Sequence, residues 1–193
     1  ARLQQTVLPG VDATLARAAC DAALTSSRQG ASWLLPGPTG ESNRYRLLPR
    51  GPVWAMPRTP LGLVHQLAAA LASGNPCQVV LAQDDQGCAA VWEALASALG
   101  EAGRPWLQRA DAAGLQDGNT PVAALLFEGD GDALLQVGTL VAARDGALVR
   151  VESRSSDELH AGHGYDLAAL VHEQSISTNT AAAGGNAQLM TMA

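Results

Sequence analysis

Lysine is absent from these 193 residues, and all 12 basic side chains are arginine. This excludes chemistry that needs an amine, so there is no Schiff base and no P-loop lysine to grip a phosphate. Isoleucine and phenylalanine occur once each, at Ile176 and Phe127, while alanine occurs 37 times. Cysteine is scarce too. Cys20, Cys77 and Cys88 lie far apart and form no C-x-x-C pair, the usage expected of a reducing, cytoplasmic compartment. No apolar run approaches the roughly 18 residues of a membrane span, so membrane insertion is not expected. Positive charge is in deficit, with a net charge of −6, which disfavours nucleic acid as a partner. The G-x-S-x-G elbow of α/β-hydrolases is missing as well.

What is present is enough for a core. Hydrophobic residues make up 47% and charged residues 16%. A globular chain of this size buries about 70% of its extended surface without staples. The opening at Ala1, with no initiator methionine, is expected of a piece of a longer protein.

Residues 11 to 29 read as a helix that Asp12 can cap, followed by turns around Pro36-Gly37-Pro38-Thr39-Gly40 and a short strand from Tyr45 to Leu48. A repeating unit begins at Gly51. Val53 to Met56 reads as a strand, and Thr59-Pro60 opens a helix with Leu63, Leu67 and Leu71 on one face, ended by a left-handed Gly74. Cys77 to Ala82, Trp106 to Gln108, Val122 to Phe127 and Leu148 to Val151 read as further strands. Helices over 86–98 and 130–143 are interleaved with them. Apolar strands separated by 10–15-residue helices predict an α/β fold, an open, mostly parallel Rossmann-like sheet. The expected organisation is an N-terminal helix and strand segment over 1–50, the α/β core over 51–152, and a loop, extended strand and terminal tail over 153–193.

Ligands of such sheets sit beyond the carboxyl ends of the strands. Glu128-Gly129-Asp130-Gly131-Asp132 lies there and resembles half a glycine fingerprint, but Leu134 stands at the third glycine and three carboxylates oppose a pyrophosphate. A self-capped turn in a solvated acidic rim is the favoured reading over a nucleotide loop. Asp84-Asp85 reads as a helix cap, with acid/base or metal chemistry as the other option. His160 and His163 lack the convergent partners of a zinc site, so no metal is expected. Cys77 reads as buried and inert, whereas Cys88, in a helix's first turn, could carry a lowered thiol pKa. Arg44, Arg46 and Arg50 read either as interface partners for carboxylates or as a solvated strand face.

Gly51-Pro52-Val53-Trp54, leading to Leu67-Ala68-Ala69-Ala70-Leu71-Ala72-Ser73-Gly74-Asn75, resembles the opening βα unit of the aldehyde dehydrogenase NAD-binding domain. Nearly the whole chain resembles the C-terminal region of the proline utilisation A family, bacterial fusions of proline dehydrogenase with glutamate semialdehyde dehydrogenase. The most specific segments are Gly37-Pro38-Thr39-Gly40-Glu41-Ser42-Asn43, the helix around His65-Gln66, and the tail from Ser177 to Met190.

The resemblance implies a multifunctional, cytoplasmic oxidoreductase of proline metabolism that uses FAD and NAD, self-associates and lies at the inner membrane face. For this region it implies an aldehyde-dehydrogenase-like domain packed on the dehydrogenase module of the same polypeptide, enclosing the route along which the intermediate is channelled. Active relatives carry a K-P-x-E-like segment where this chain has Ala82-Gln83-Asp84-Asp85, and F-T-G-S where it has Phe127-Glu128-Gly129-Asp130. The resulting expectation is a non-catalytic cover whose cofactor site has decayed at Gln83, Asp84, Glu128, Gly129 and Asp130. Such a cover has no cofactor and no catalytic residue of its own. Partner contacts are expected at Arg44, Arg46, Arg50, Asn179, Thr180, Gly184, Gly185, Asn186, Leu189 and Met190. The alternatives are an autonomous small NAD-binding dehydrogenase or a freestanding protein-interaction module.

Overall fold

The computed structural model describes residues 6–82 and 85–180. Its helices are α1 (Ala13–Ser26), α2 (Pro60–Ala72), α3 (Gln86–Leu99), α4 (Gly131–Ala142) and α5 (Ser156–His160). Its strands are β1 (Ser32–Leu35), β2 (Glu41–Pro49), β3 (Val53–Met56), β4 (Cys77–Val79), β5 (Leu107–Arg109), β6 (Ala124–Glu128), β7 (Arg150–Arg154) and β8 (Val171–Asn179). No described helix is long and apolar enough to cross a membrane.

Five strands form a parallel sheet in the order β5-β4-β3-β6-β7. The chain winds outward through β4 and β5, then returns to lay β6 and β7 on the other side of β3. This is the Rossmann-like α/β architecture expected from the sequence. β3 and β6 are central, and Val53, Ala55, Ala124, Leu125 and Leu126 are fully buried, as apolar runs covered on both faces must be. One face carries α2, which is buried almost all round because α1 packs outside it through the small side chains of Ala19, Cys20 and Ala23. The other face holds a smaller cluster of Trp54, Val80, Leu115, Leu125 and Val141. Gly114 lies against the Trp54 ring there, where a Cβ would sit 2.7 Å from the indole.

Local signals placed the elements. The carboxylate of Asp12 accepts from the Thr14 and Leu15 amides, the Thr59 hydroxyl accepts from Gly62, and Asp130 accepts from Ala133. Gly74 ends α2 at φ +77°, a conformation that glycine adopts without penalty.

Three differences from the sequence reading stand out. β2 reaches back to Glu41 because β8 pairs with it antiparallel from Pro49↔Val171 to Glu41↔Asn179. β1, which the sequence reading missed, pairs with β2 on its other side and completes a second, three-stranded sheet. Part of the segment read as loop over 153–164 is α5, opened by a capping box in which the Ser155 hydroxyl accepts from the Glu158 amide while Glu158 accepts from the Ser155 amide.

Candidate functional site

The sheet order reverses between β3 and β6, and ligands of open α/β sheets gather in the crevice outside such a reversal. Here that crevice is filled from within. Glu128, the last residue of β6, is fully buried. Its Oε2 accepts from the Arg58 amide at 2.7 Å and the Thr59 amide at 2.9 Å. Its Oε1 accepts from the Thr59 hydroxyl at 2.7 Å and the Ser156 hydroxyl at 2.8 Å. The carboxylate therefore ties β6 to the start of α2 and to α5, using the donors that a bound anion would use at a helix head. The expectation of a solvated acidic rim is corrected for this residue: four donors replace water. They come from segments about 28 and 70 residues away, so nothing beside Glu128 in sequence announces them.

Behind the carboxylate the network continues. The Gln66 Nε2 donates to the Met56 carbonyl and to the Tyr165 hydroxyl, which in turn donates to the Phe127 carbonyl at 3.0 Å. Gln66 Oε1 is buried without a hydrogen-bond partner among the described residues. The pairing of Gln66 with Tyr165 escaped the sequence reading because they are 99 residues apart; Gln66 entered it only as part of the family-like helix segment.

The open part of the rim is the first turn of α4. Asp130 occupies the Ala133 amide, whereas Gly131 has open space where a side chain would stand. The carboxylates of Asp130 and Asp132 flank this turn, and Gly129 precedes it against the Phe127 ring. Arg58, exposed at the head of α2, has no ion pair among the described residues. Asp85 caps α3 by accepting from the Cys88 amide at 2.9 Å. Gln83 and Asp84 lie outside the described residues.

All three thiols are buried. Burial pushes Cys77 up to about 12, and burial followed by the Asp85 carboxylate pushes Cys88 up as well. The expected lowering at Cys88 is corrected: its helix-head position is outweighed by desolvation and a carboxylate neighbour. Cys20 is also raised, by burial first and Asp21 second. No group of three or more metal-ligating side chains occurs among the described residues.

The arginine cluster lies on β2 and does not converge on carboxylates. Arg46 Nε donates to Gln174 Oε1 at 2.5 Å, Arg44 to the Ser32 hydroxyl at 3.4 Å, and Arg50 to the Val171 carbonyl at 3.3 Å. Asn179 ends β8, and the Thr180 amide donates to the Gly40 carbonyl at 2.8 Å. Gly184, Gly185, Asn186, Leu189 and Met190 lie outside the described residues.

No protein-family model matches the chain. The bifunctional protein PutA of Rhizobium meliloti is 40% identical over 187 residues, which is 93% of this chain and 14% of that protein. A crystal structure of a Bradyrhizobium japonicum proline utilization A variant aligns with a TM-score of 0.57 at 27% identity, covering 74% of this chain and 15% of that one. The glyceraldehyde-3-phosphate dehydrogenase GapN of Methanocaldococcus jannaschii, solved with NADP, shares the fold at a TM-score of 0.56 and 18% identity, over 74% of this chain and 32% of its own. The chain thus spans a small part of the relatives it matches.

These likenesses correct three linked expectations: a purely structural cover, a fragment that is itself no enzyme, and a fragment with no cofactor. They rested on the acidic loops and on the family's missing cofactor-binding and catalytic segments. The chain instead shares its fold with a glyceraldehyde-3-phosphate dehydrogenase that was solved with NADP, and it aligns over most of its length with a bifunctional protein.

Proposed function

On the premise that the chain is a homologue of a segment of the bifunctional PutA proteins, we propose that it is an aldehyde-dehydrogenase-type dinucleotide module of an oxidoreductase in proline metabolism. In this reading it takes part in the dehydrogenase's catalytic unit, packed on the rest of the same polypeptide, in the cytoplasm and with the parent at the inner membrane face. The carrying observation is the carboxyl rim: the space over Gly131 at the head of α4 is open, and Arg58 at the head of α2 has no ion pair among the described residues. A nicotinamide dinucleotide bound there supplies a hydride acceptor.

The rim residues act on such a cofactor in opposite senses. The Gly131 and Asp132 amides can donate to a phosphate, and Arg58 attracts it, while Asp130 and Asp132 repel it. Glu128 confines the ligand to the outside of the β3/β6 crevice. The fit is therefore partial, and affinity is set by the balance of these charges. The nucleophile of aldehyde oxidation comes from elsewhere in the longer polypeptide, since Cys20, Cys77 and Cys88 are buried. FAD chemistry is likewise assigned to the rest of that polypeptide.

Calorimetric titration of the full chain with NAD tests the reading. Saturable binding is expected, weakened about two- to fivefold by Arg58→Ala and strengthened by a similar factor by Asp132→Asn. Absence of binding in the chain and in Asp132→Asn would overturn it.

A further inference from the structure

A second concavity opens on the α1 face of the parallel sheet. It is a pocket of about 380 Å³ between α1, α2 and the loop that follows α5. That volume suits a small organic molecule. Its floor is apolar, made by Ala23 of α1 and Ala69 of α2, and Ala22 stands at its exposed edge. Its polar wall is His65, His163 and Arg154, with no Asp or Glu among the lining residues. For a chain of net charge −6 this is an unusual imbalance of sign.

The wall is built rather than incidental. The Arg154 Nε donates to the Gly164 carbonyl at 3.0 Å and Nη1 to the Ser153 carbonyl at 2.7 Å. The guanidinium carbon lies 5.9 Å from the centre of the Tyr165 ring. These contacts fix the plane of the fork, and Nη2 has no hydrogen-bond partner among the described residues. His65, on α2, is 6% exposed; its ring is hydrogen-bonded to the Leu159 backbone, and a Cβ added at Gly164 would lie 3.6 Å from its Nδ1. Two carboxylates act on the wall from outside the lining: Glu158, held in the Ser155 capping box, attracts Arg154 and His163, and the buried Glu128 attracts His65.

We infer that this pocket binds a small organic monocarboxylate, with the carboxylate on Arg154 and His163 and its apolar body against the alanine floor. The charge count favours a monoanion over a phosphate. Arg154 is the one permanent cation, because burial holds the His65 imidazole below its usual range. A single planar guanidinium matches a carboxylate edge, and the apolar floor rewards a ligand with a hydrocarbon end. Arg154 ends β7 opposite Glu128, and its carbonyl accepts from the Gly129 amide at 3.1 Å, so the pocket borders the rim. The inference still stands apart from the dinucleotide reading, because the pocket uses no group of the α4 head.

The test is a titration of the full chain at pH 7 with butyrate, and in parallel with inorganic phosphate and chloride at matched ionic strength. It is read on the imidazole resonances of His65 and His163 by NMR. Butyrate is expected to give saturable shifts and to bind more tightly than phosphate, with chloride giving none. Arg154→Gln is expected to weaken butyrate at least about tenfold through loss of a charge-assisted bond. Ala22→Leu, an exposed helix position that tolerates leucine, fills the edge of the pocket and is expected to weaken it comparably. Shifts that do not saturate, tighter binding of phosphate, or unchanged butyrate binding in Ala22→Leu or in folded Arg154→Gln would each overturn the inference.

Discussion

At position 62 a single added Cβ would land 1.8 Å from Glu128 Oε2, so the glycine there is what lets a carboxylate lie under the head of α2. Gly62→Ala should cost about 1–3 kcal/mol of stability through overpacking, measured by urea denaturation. Glu128→Ala should cost about 3 kcal/mol or more in the same assay, since it strands the Arg58 and Thr59 amides and two hydroxyls. His65 adds a pH dependence. Burial holds its imidazole below 6.5, favouring the neutral ring in the fold. A base depressed in this way contributes stability that is intact above the unfolded pKa and lost as pH falls through the folded one. Stability should therefore decline as pH drops below 6.5, and His65→Gln should flatten that decline. From the sequence, the caps at Asp12, Thr59 and Asp130 were legible because their partners lie two or three residues away. The burial of Glu128 was not, because its donors arrive only when β3, β6 and α5 meet.

The end of α2 shows how one side chain can join elements. The Asn75 Oδ1 accepts from the Gly51 amide at 2.9 Å, and its Nδ2 donates to the Ser73 hydroxyl and to the Leu170 carbonyl, both at 2.8 Å. Fully buried, it binds the start of β3 to the lead-in of β8. Asn75→Ala should destabilise the fold by about 2–4 kcal/mol, checked by thermal or chemical denaturation, because a buried amide and a buried carbonyl lose their partners. The helix-ending Gly74-Asn75 pair was visible in the sequence, but the long-range task of Asn75 was not. Strands β3 and β6 were readable as uninterrupted apolar runs. β1 was hidden because all of Ser32–Leu35 is exposed and its place is set by pairing with β2.

Across the whole molecule, the two sheets differ in what protects them. β3 and β6 are buried on both faces, whereas β1 and most of β8 are exposed, and the Arg50 amide joins their sheet to the body through the Leu170 carbonyl at 3.1 Å. Native-state hydrogen exchange should therefore find β3 and β6 amides opening only with global unfolding, and amides of β1 and β8 exchanging at much lower cost. The parallel sheet could be predicted from spacing alone. The β2–β8 pairing of the antiparallel sheet joins strands more than a hundred residues apart, a separation that local patterning does not encode. The dinucleotide reading depends on the α4 head and not on the crevice that Glu128 fills. Its most direct measurement is the amide NMR spectrum of the full chain titrated with NAD. The account predicts saturable shifts at Gly131, Asp132 and Ala133 while the Arg58 and Thr59 amides, held by Glu128, stay in place. A spectrum unmoved at the α4 head, or one in which the Arg58 and Thr59 amides respond instead, would contradict it.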